Sequence, residues 1–503
     1  MNAFFRTSLL AAALVAAPFA LAADPVPQTL PEGYKVETIA LPKGEAMAIT
    51  GVDTGSDGSV WVCTREGDVW RRLPDGTKGD LWKKFAEGLQ DPCGLLLERK
   101  DGKETGAVLV TQKPELTRLV DKDGDGVADA YQCVNATFKT SGNYHEFNHG
   151  LVQDSRGNLY GALNLGAEPE NIAGILRVRG TCMMARPGDY RGTVYRVKPD
   201  GAFEVVGWGV RSPCGVGMTH DDHLLYTENQ GDYMPSCFLA VVEDGQFYGQ
   251  PAGLFDHPDY KGKTVAEFNA VPLEEWAKKR TWPAVWLPYR ELHSSSGQPV
   301  EDRTAGKFGP FAGQIFIGDQ THSNLIRTTL QQVKGQWQGF AVDFINHTRC
   351  GIVRGAFDQG GSLWLGETGR GWGSSGDLPF ALERVTWDGK TVPFCIKDIK
   401  LEKEGFRVSF TKPVDPATAQ AAKVGVRHWT YKFTHQYGCG GIQDQKQSPA
   451  GEVAVSDDRM SMLVRTDLVK HRVYDIKLPE IRSADGKALT TNHGYYTLNE
   501  TVD

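Results

Sequence analysis

Six short hydrophobic strands, each ending in a polar residue, recur through the first four-fifths of the chain: Val60–Thr64, Val108–Gln112, Leu159–Asn164, Leu225–Asn229, Ile315–Asp319 and Leu363–Glu367. Most follow a turn signal such as Ser56-Asp57-Gly58, Ser155-Arg156-Gly157-Asn158 or Gln359-Gly360-Gly361-Ser362. Aromatic and β-branched runs bounded by Gly, Asp and Asn are the composition of strands entered from a hairpin. Recurrence roughly every 50 residues means repetition of one supersecondary unit. Four-stranded blades closed into a ring leave no long free edge. Six copies therefore predict an all-β chain built on a six-bladed β-propeller.

Three segments are expected. Residues 1–22 read as a secretory signal, with Arg6 in the n-region, Leu9 to Ala17 as the apolar core and Ala20-Leu21-Ala22 at the cleavage site. Residues 23–395 carry the propeller. Residues 396–503 alternate apolar and polar in Gly405–Phe410, Trp429–Phe433, Met460–Val464 and Val473–Leu478, the pattern of an Ig-like β-sandwich. Such a module reads as a spacer or adhesive domain, so reacting groups are sought in the propeller. Short helices are expected at Leu273 to Arg280 and within Asp415 to Ala419. Export to the periplasm or the outside follows from the signal, with no membrane span in the mature chain.

Lys and Arg total 55 against 62 Asp and Glu, without a basic tract, which argues against a nucleic-acid partner. All 9 cysteines follow the signal, where an oxidising compartment permits disulfides and leaves at least one thiol over. The absence of Cys-x-x-Cys sets aside covalent haem and thioredoxin-like chemistry.

A second repeated position precedes each hydrophobic strand: Ile49-Thr50-Gly51, Pro92-Cys93-Gly94, Asn148-His149-Gly150, Pro213-Cys214-Gly215, His293-Ser294-Ser295 and Arg349-Cys350-Gly351. In a propeller the first strand of each blade is innermost, so these positions face one another around the axis. Cys93, His149, Cys214, His293 and Cys350 are expected to ring one mouth, with Arg211 and Arg349 nearby. Thiolate and imidazole together would suit copper or zinc. The same cysteines also read as small fillers at a crowded axis, or as a disulfide pair. Polar strand ends (Arg65, Gln112, Asn164, Glu228, Asn229, Gln230, Asp319, Gln320, His322, Glu367 and Arg370) are expected to make a polar funnel around a recessed pocket.

Two local motifs stand out. His145-Glu146-Phe147-Asn148-His149 offers two imidazoles and a carboxylate, a candidate base with an orienting partner or a hydrogen-bonded loop. In Asp121-Lys122-Asp123-Gly124-Asp125-Gly126-Val127-Ala128-Asp129, oxygen ligands alternate with turn glycines. That is the first half of a calcium loop, with Asp121, Asp123, Asp125, the Val127 carbonyl and Asp129 as ligands. The twelfth position is Gln132 rather than a bidentate Glu, so the EF-hand is incomplete.

These motifs resemble the glucose/sorbosone dehydrogenase-like propellers that include quinone-dependent aldose sugar dehydrogenases. Asn148-His149-Gly150 with Gly157-Asn158-Leu159-Tyr160, the hairpin Gly192 to Gly201, and Gly209-Val210-Arg211-Ser212-Pro213 carry the resemblance. A closer one is to secreted bacterial proteins labelled membrane-bound dehydrogenases, abundant in planctomycetes and verrucomicrobia. It rests on the Asp-Gly-Asp-Gly loop, Thr227 to Asp232, Phe247 to Pro251, Lys307 to Gln314, Gly369 to Gly373 and Tyr495 to Asn499. The resemblance implies a sugar oxidoreductase using pyrroloquinoline quinone, a carbohydrate or small-molecule substrate, and an external electron acceptor. It implies His149 as the base, Arg211 facing the cofactor, Arg349 or Arg354 in the last blade and Lys307 as the nearest match to a quinone-binding Lys; His145 and Glu146 beside His149, and Asn229, Gln230, His293 and Arg370 around the mouth, are the further candidates the residues themselves offer. Ser212 replaces the family's Asn, and only Lys307 approximates its quinone-binding Lys. Two other roles stay open: a metal-dependent lyase or hydrolase using the axial ring, and a non-catalytic glycan-binding scaffold presenting Trp276, Trp282 and Trp372.

Overall fold

The computed structural model describes residues 29–167, 188–369, 373–448 and 453–503, together with the strand Met184–Arg186. The chain is mostly β and propeller-like, and the recurring sequence unit is its building block. Each hydrophobic strand is the second of an antiparallel sheet: Val60–Thr64, Lys103–Thr111, Leu159–Leu163, Leu224–Glu228, Ile315–Asp319 and Leu363–Thr368. Five of these are buried along their whole length, and Lys103–Thr111 over its last five residues. Burial on both faces is why they read as continuous apolar runs rather than alternating ones.

Before each comes an inner strand: Ile49–Thr54, Leu95–Lys100, Asn148–Gln153, Pro213–Met218, Ser296–Glu301 and Ile352–Phe357. Each inner strand lies against the next, and Ile352–Phe357 lies against Ile49–Thr54, so the series closes on itself. The N-terminal strand Tyr34–Thr38 completes the closure by pairing with Phe380–Trp387 on the sheet that holds Ile352–Phe357. Crowding at the axis explains the recurring glycine. A Cβ on Gly94 would sit 1.9 Å from the Gly150 carbonyl oxygen, and one on Gly215 would sit 2.4 Å from the Gln298 Cα.

The strands after residue 395 do not stand apart from this ring. His493–Leu498 pairs with Gln336–Ile345 of the fifth sheet, and Arg472–Lys477, Gly425–Tyr431 and Ile442–Ser448 continue outward in one eight-stranded sheet. A second sheet, Ile396–Glu402, Gly405–Phe410, Ser461–Arg465 and Val453–Val455, shares a core with it through Phe406, Val408, Tyr474 and Tyr496. Trp429, Val473 and Tyr495 join the main core of the ring.

Helices Val265–Ala270 and Leu273–Lys279 lie between strands of the fourth sheet, the first opened by a Thr264/Glu267 capping box. Trp276, expected as an exposed sugar platform, is 3% exposed, packed with Phe268 because it lies on the helix face turned toward the ring. Trp282 stacks on His471 at 4.2 Å, and Trp372 lies outside the described residues. The eight described cysteines are all free thiols, and Cys182 lies outside the described residues. The disulfide alternative is therefore not met among them, and all but Cys133 are buried. No described helix is long and apolar enough to cross a membrane.

Candidate functional site

A cavity of about 200 Å³ opens at one mouth of the ring, lined by residues that enter or leave the inner strands. Cys93, His149 and Cys214 face it from three successive sheets, joined by His145, Arg211, Asn229 and Gln230. Arg65, Asn164 and Gln320 line it from the polar strand ends. Two guanidiniums and two imidazoles are present, and no described lining residue is a carboxylate. Burial and the nearby charges of Arg211, Lys113 and Arg65 push His145 down to about 3. Burial, Arg354 and His145 hold His149 well below the ordinary imidazole range. Both rings are therefore neutral at pH 7, and the cationic groups of the recess are the guanidiniums of Arg65, which pairs with Asp91 at 3.5 Å, and of Arg211.

The segment bearing the imidazoles is braced from behind. Arg191, 2% exposed, donates to the carbonyls of Lys139, Glu146, Phe147 and Lys113. Glu146 lies outside the lining. Its carboxylate accepts from the Ser141 backbone N–H and hydroxyl and from the Thr140 hydroxyl, closing the loop rather than orienting a lining imidazole.

Much of the polar funnel turns out to be scaffold. Gln112 accepts from the Gln90 N–H, Glu228 from those of Arg211 and Ser212, Asp319 from those of Ser294 and Ser295, and Glu367 from that of Cys350. In four sheets the polar residue ending the second strand thus pins the entry to the first. That satisfies backbone donors which the ladder cannot reach.

The expected ring of soft ligands does not assemble. Cys350 lies off the cavity, its sulfur 3.5 Å from the Ser374 hydroxyl. The His293 ring is fully buried, 3.8 Å from Asp319. Burial pushes the Cys93 thiol up to about 12, and the Cys214 sulfur accepts from the Gln320 amide at 2.9 Å. Among the described residues the one His/Cys/Asp/Glu cluster of ligand geometry is instead Asp121, Asp123 and Asp129, whose carboxylate oxygens lie within 4.8 Å of one another. This cluster stands on the turn between Leu116–Val120 and Ala130–Asn135, at the rim of the second sheet. Asp125 is outside it, its carboxylate accepting from the Val127 N–H, and the Val127 side chain is exposed.

Other expected cofactor contacts are elsewhere. Lys307 donates to the Gln359 carbonyl on an outer turn, and Arg349 pairs with Asp377 at 2.6 Å. Arg354 sits behind His149, and Arg370 is outside the described residues. One lining residue comes from a region the sequence assigned to spacing. Tyr437, 49% exposed, reaches the mouth from the C-terminal strands, its ring 5.3 Å from the Arg211 guanidinium carbon. Gly438 fixes that loop by donating to the Gly231 carbonyl at 2.9 Å. The glycine-rich run Gly438-Cys439-Gly440-Gly441 is the sequence signal that marks the turn.

Residues 30–332, more than half of the chain, match the family described as a domain of unknown function, DUF7133. No curated protein matches the chain. Among solved structures, a protein of Thermus thermophilus described as a putative oxidoreductase (glucose dehydrogenase) aligns at 16% identity and a TM-score of 0.49, over 70% of this chain and 100% of its own. The quinone-bound aldose sugar dehydrogenase of Streptomyces coelicolor aligns at 16% identity and 0.45, over 71% and 99%. The quinone domain of pyranose dehydrogenase from Coprinopsis cinerea aligns at 11% identity and 0.49, over 72% and 97%.

Proposed function

This chain belongs to the DUF7133 family, whose function is unknown, and we propose that it is an exported oxidoreductase of sugars or sugar-derived alcohols and aldehydes, working from the axial cavity. In this reading residues 1–22 are the export signal, residues 23–395 form a six-bladed propeller, and residues 396–503 form an Ig-like sandwich fused to its fifth blade. The observation that carries it is a recess with two guanidiniums, two neutral imidazoles and no described carboxylate. An anionic quinone of the pyrroloquinoline type suits that donor set. Arg65 and Arg211 would hold its negative charge and Asn164 and Asn229 its oxygens, with Phe147 and Tyr437 lining the same recess. Bound there, such a group would supply the acceptor for two electrons from the substrate. The chain's own share is to bind, to orient through the braced 139–149 segment, and to exclude water with the Tyr437 loop.

The test is dye reduction on an aldose panel after adding the quinone and calcium to purified protein. Turnover that Arg211→Ala lowers at least about 100-fold is expected, since removing one charge-assisted hydrogen bond from a buried site costs that order. No quinone uptake and no turnover would sink the reading. A second reading, carbohydrate binding without chemistry, is favoured by the Arg354 guanidinium on His149, which occupies the nitrogen an orienting carboxylate would otherwise hold. A glycan pull-down that survives both His149→Ala and Arg211→Ala would select it.

The converging carboxylates of Asp121, Asp123 and Asp129 fit a hard cation taking oxygen ligands. We assign them Ca²⁺ as a staple of the second blade's outer turn. With calcium at about 100 times its Kd, linkage stabilises by ~2.7 kcal/mol. Chelation should therefore lower the Tm of the native protein and leave that of Asp123→Asn unchanged. Equal losses in both, or none in either, would remove the site.

A further inference from the structure

Arg354 lies on the inner strand Ile352–Phe357 and is 1% exposed. It brings a positive charge to the axis, where no described carboxylate pairs with it. Its guanidinium instead donates to the backbone carbonyls of Cys93 at 2.6 Å, of Val353 at 2.9 Å and of Cys214. One Nη also lies 2.9 Å from Nδ1 of His149. A single side chain from the sixth sheet thus ties together the entries to the second, third and fourth.

The approach to His149 decides a protonation state. Guanidinium carries only N–H donors and does not lose its proton in a protein. Nδ1 of His149 can answer it only with a lone pair. A neutral imidazole whose Nδ1 is bare has its hydrogen on Nε2. Putting the hydrogen on Nδ1 would set two donors against each other in a site with no water-exposed alternative, since His149 is itself 6% exposed. The other groups packed around the ring do not reverse this: Phe147 is apolar, and Arg65 and His145 both disfavour a second proton.

We propose that His149 serves the cavity as an N–H donor to an anionic or strongly polarised oxygen of the ligand, with Arg354 as the positioning residue that fixes this tautomer. The inference rests on the cavity being the ligand site. Within that site it reverses the role the sequence resemblance implies, because an imidazole with a bare Nδ1 turned to a guanidinium has no free lone pair for a substrate proton. It also defines the ligand class: an oxygen-rich anion, held by the His149 N–H together with the Arg65 and Arg211 guanidiniums.

The decisive experiment is nitrogen NMR on the full chain labelled in its histidines, with the His149 signals identified by their loss in His149→Gln. The expected result is a bare Nδ1 and a protonated Nε2, unchanged from pH 5 to pH 9. Arg354→Lys, which keeps a donor, should preserve that pattern, and Arg354→Met should mix the tautomers. Addition of D-glucuronate or of pyrroloquinoline quinone should shift the Nε2–H signal, and D-glucose at the same concentration should leave it in place. His149→Gln, whose amide can still donate, should bind whichever anion binds within about 3-fold of the native protein, and His149→Ala should lose about 10-fold or more. A proton on Nδ1 in the native protein overturns the proposal, as does a signal that neither anion moves. If Arg354→Met fails to fold, the native spectrum and the His149 pair still decide. Absence of dehydrogenase turnover with a bare Nδ1 and an anion-dependent shift would sink the oxidoreductase reading and keep this one.

Discussion

Gly94→Ala should cost at least about 3 kcal/mol of folding stability, or prevent folding outright. The added Cβ would lie 1.9 Å from the carbonyl oxygen of Gly150 and 2.2 Å from its carbonyl carbon. Both are backbone atoms of the neighbouring inner strand, so no side-chain rotamer can relieve the overlap. Overpacking an ordinary core site costs ~1–3 kcal/mol, because side chains shift. Here two strands of a closed ring would have to part, and the ring offers no free edge along which to move. Gly425→Ala is the control, since its Cβ would meet only the Lys477 Cβ at 3.6 Å. It should change stability by no more than ~0.5 kcal/mol. Urea midpoints of the two variants measure the contrast. A Gly94→Ala protein as stable as the native one would mean that the inner strands do not pack as closely as this.

Stability should also depend on pH below neutrality, with the buried imidazoles and the buried acids pulling in opposite directions. His145 is held at about 3 in the folded chain against 6.5 unfolded. A base whose folded pKa is lowered leaves the folded state neutral while the unfolded chain takes up protons below 6.5. Stability is therefore lost as pH falls from 6.5. At pH 5 the gap amounts to ~2 kcal/mol from His145 alone, at ~1.36 kcal/mol per pKa unit. His149 adds a loss of the same sign. Buried acids work in the opposite sense. Burial raises Glu228 to about 7 even though it accepts the Arg211 and Ser212 N–H groups. Its favourable share is full below its unfolded pKa and disappears as pH rises through about 7. Burial and Glu383 raise Glu367 in the same direction. Urea midpoints from pH 5 to pH 9 should show the imidazole share, and His145→Gln should remove its part of the gain between pH 5 and pH 6.5. An acid slope identical in the variant would show that these imidazoles are not buried neutral.

Legibility followed the range of the forces involved. The six second strands were readable because burial on both faces leaves an uninterrupted apolar run, a property of each segment alone. Cys93, His149 and Cys214 meet at one cavity because they share a position in the repeat. Cys350 does not join them, because Val353, three residues on, holds the place in its sheet that Cys214 holds in the fourth, and it is Val353 that lines the cavity. The series Gln112, Glu228, Asp319 and Glu367 was visible as a repeat and misread as a pocket wall. A polar residue at a strand end has the same sequence signature whether it faces a cavity or caps its own sheet.

The sequence by itself determined the repeating β unit, the acidic turn at Asp121 to Asp129 and the small residues at the axis. Each of these is local: hydrophobic period, turn chemistry and the space allowed to a Cβ. Tertiary structure alone decided that the C-terminal strands fuse to the fifth sheet, that Tyr437 reaches the cavity mouth, and that Arg354 meets His149. The last pair is separated by 205 positions. Nothing in either neighbourhood encodes their meeting. It arises because closing the ring brings the first strand of the sixth sheet beside those of the others, and at such an axis the only place for a long cationic side chain is against backbone carbonyls and one ring nitrogen.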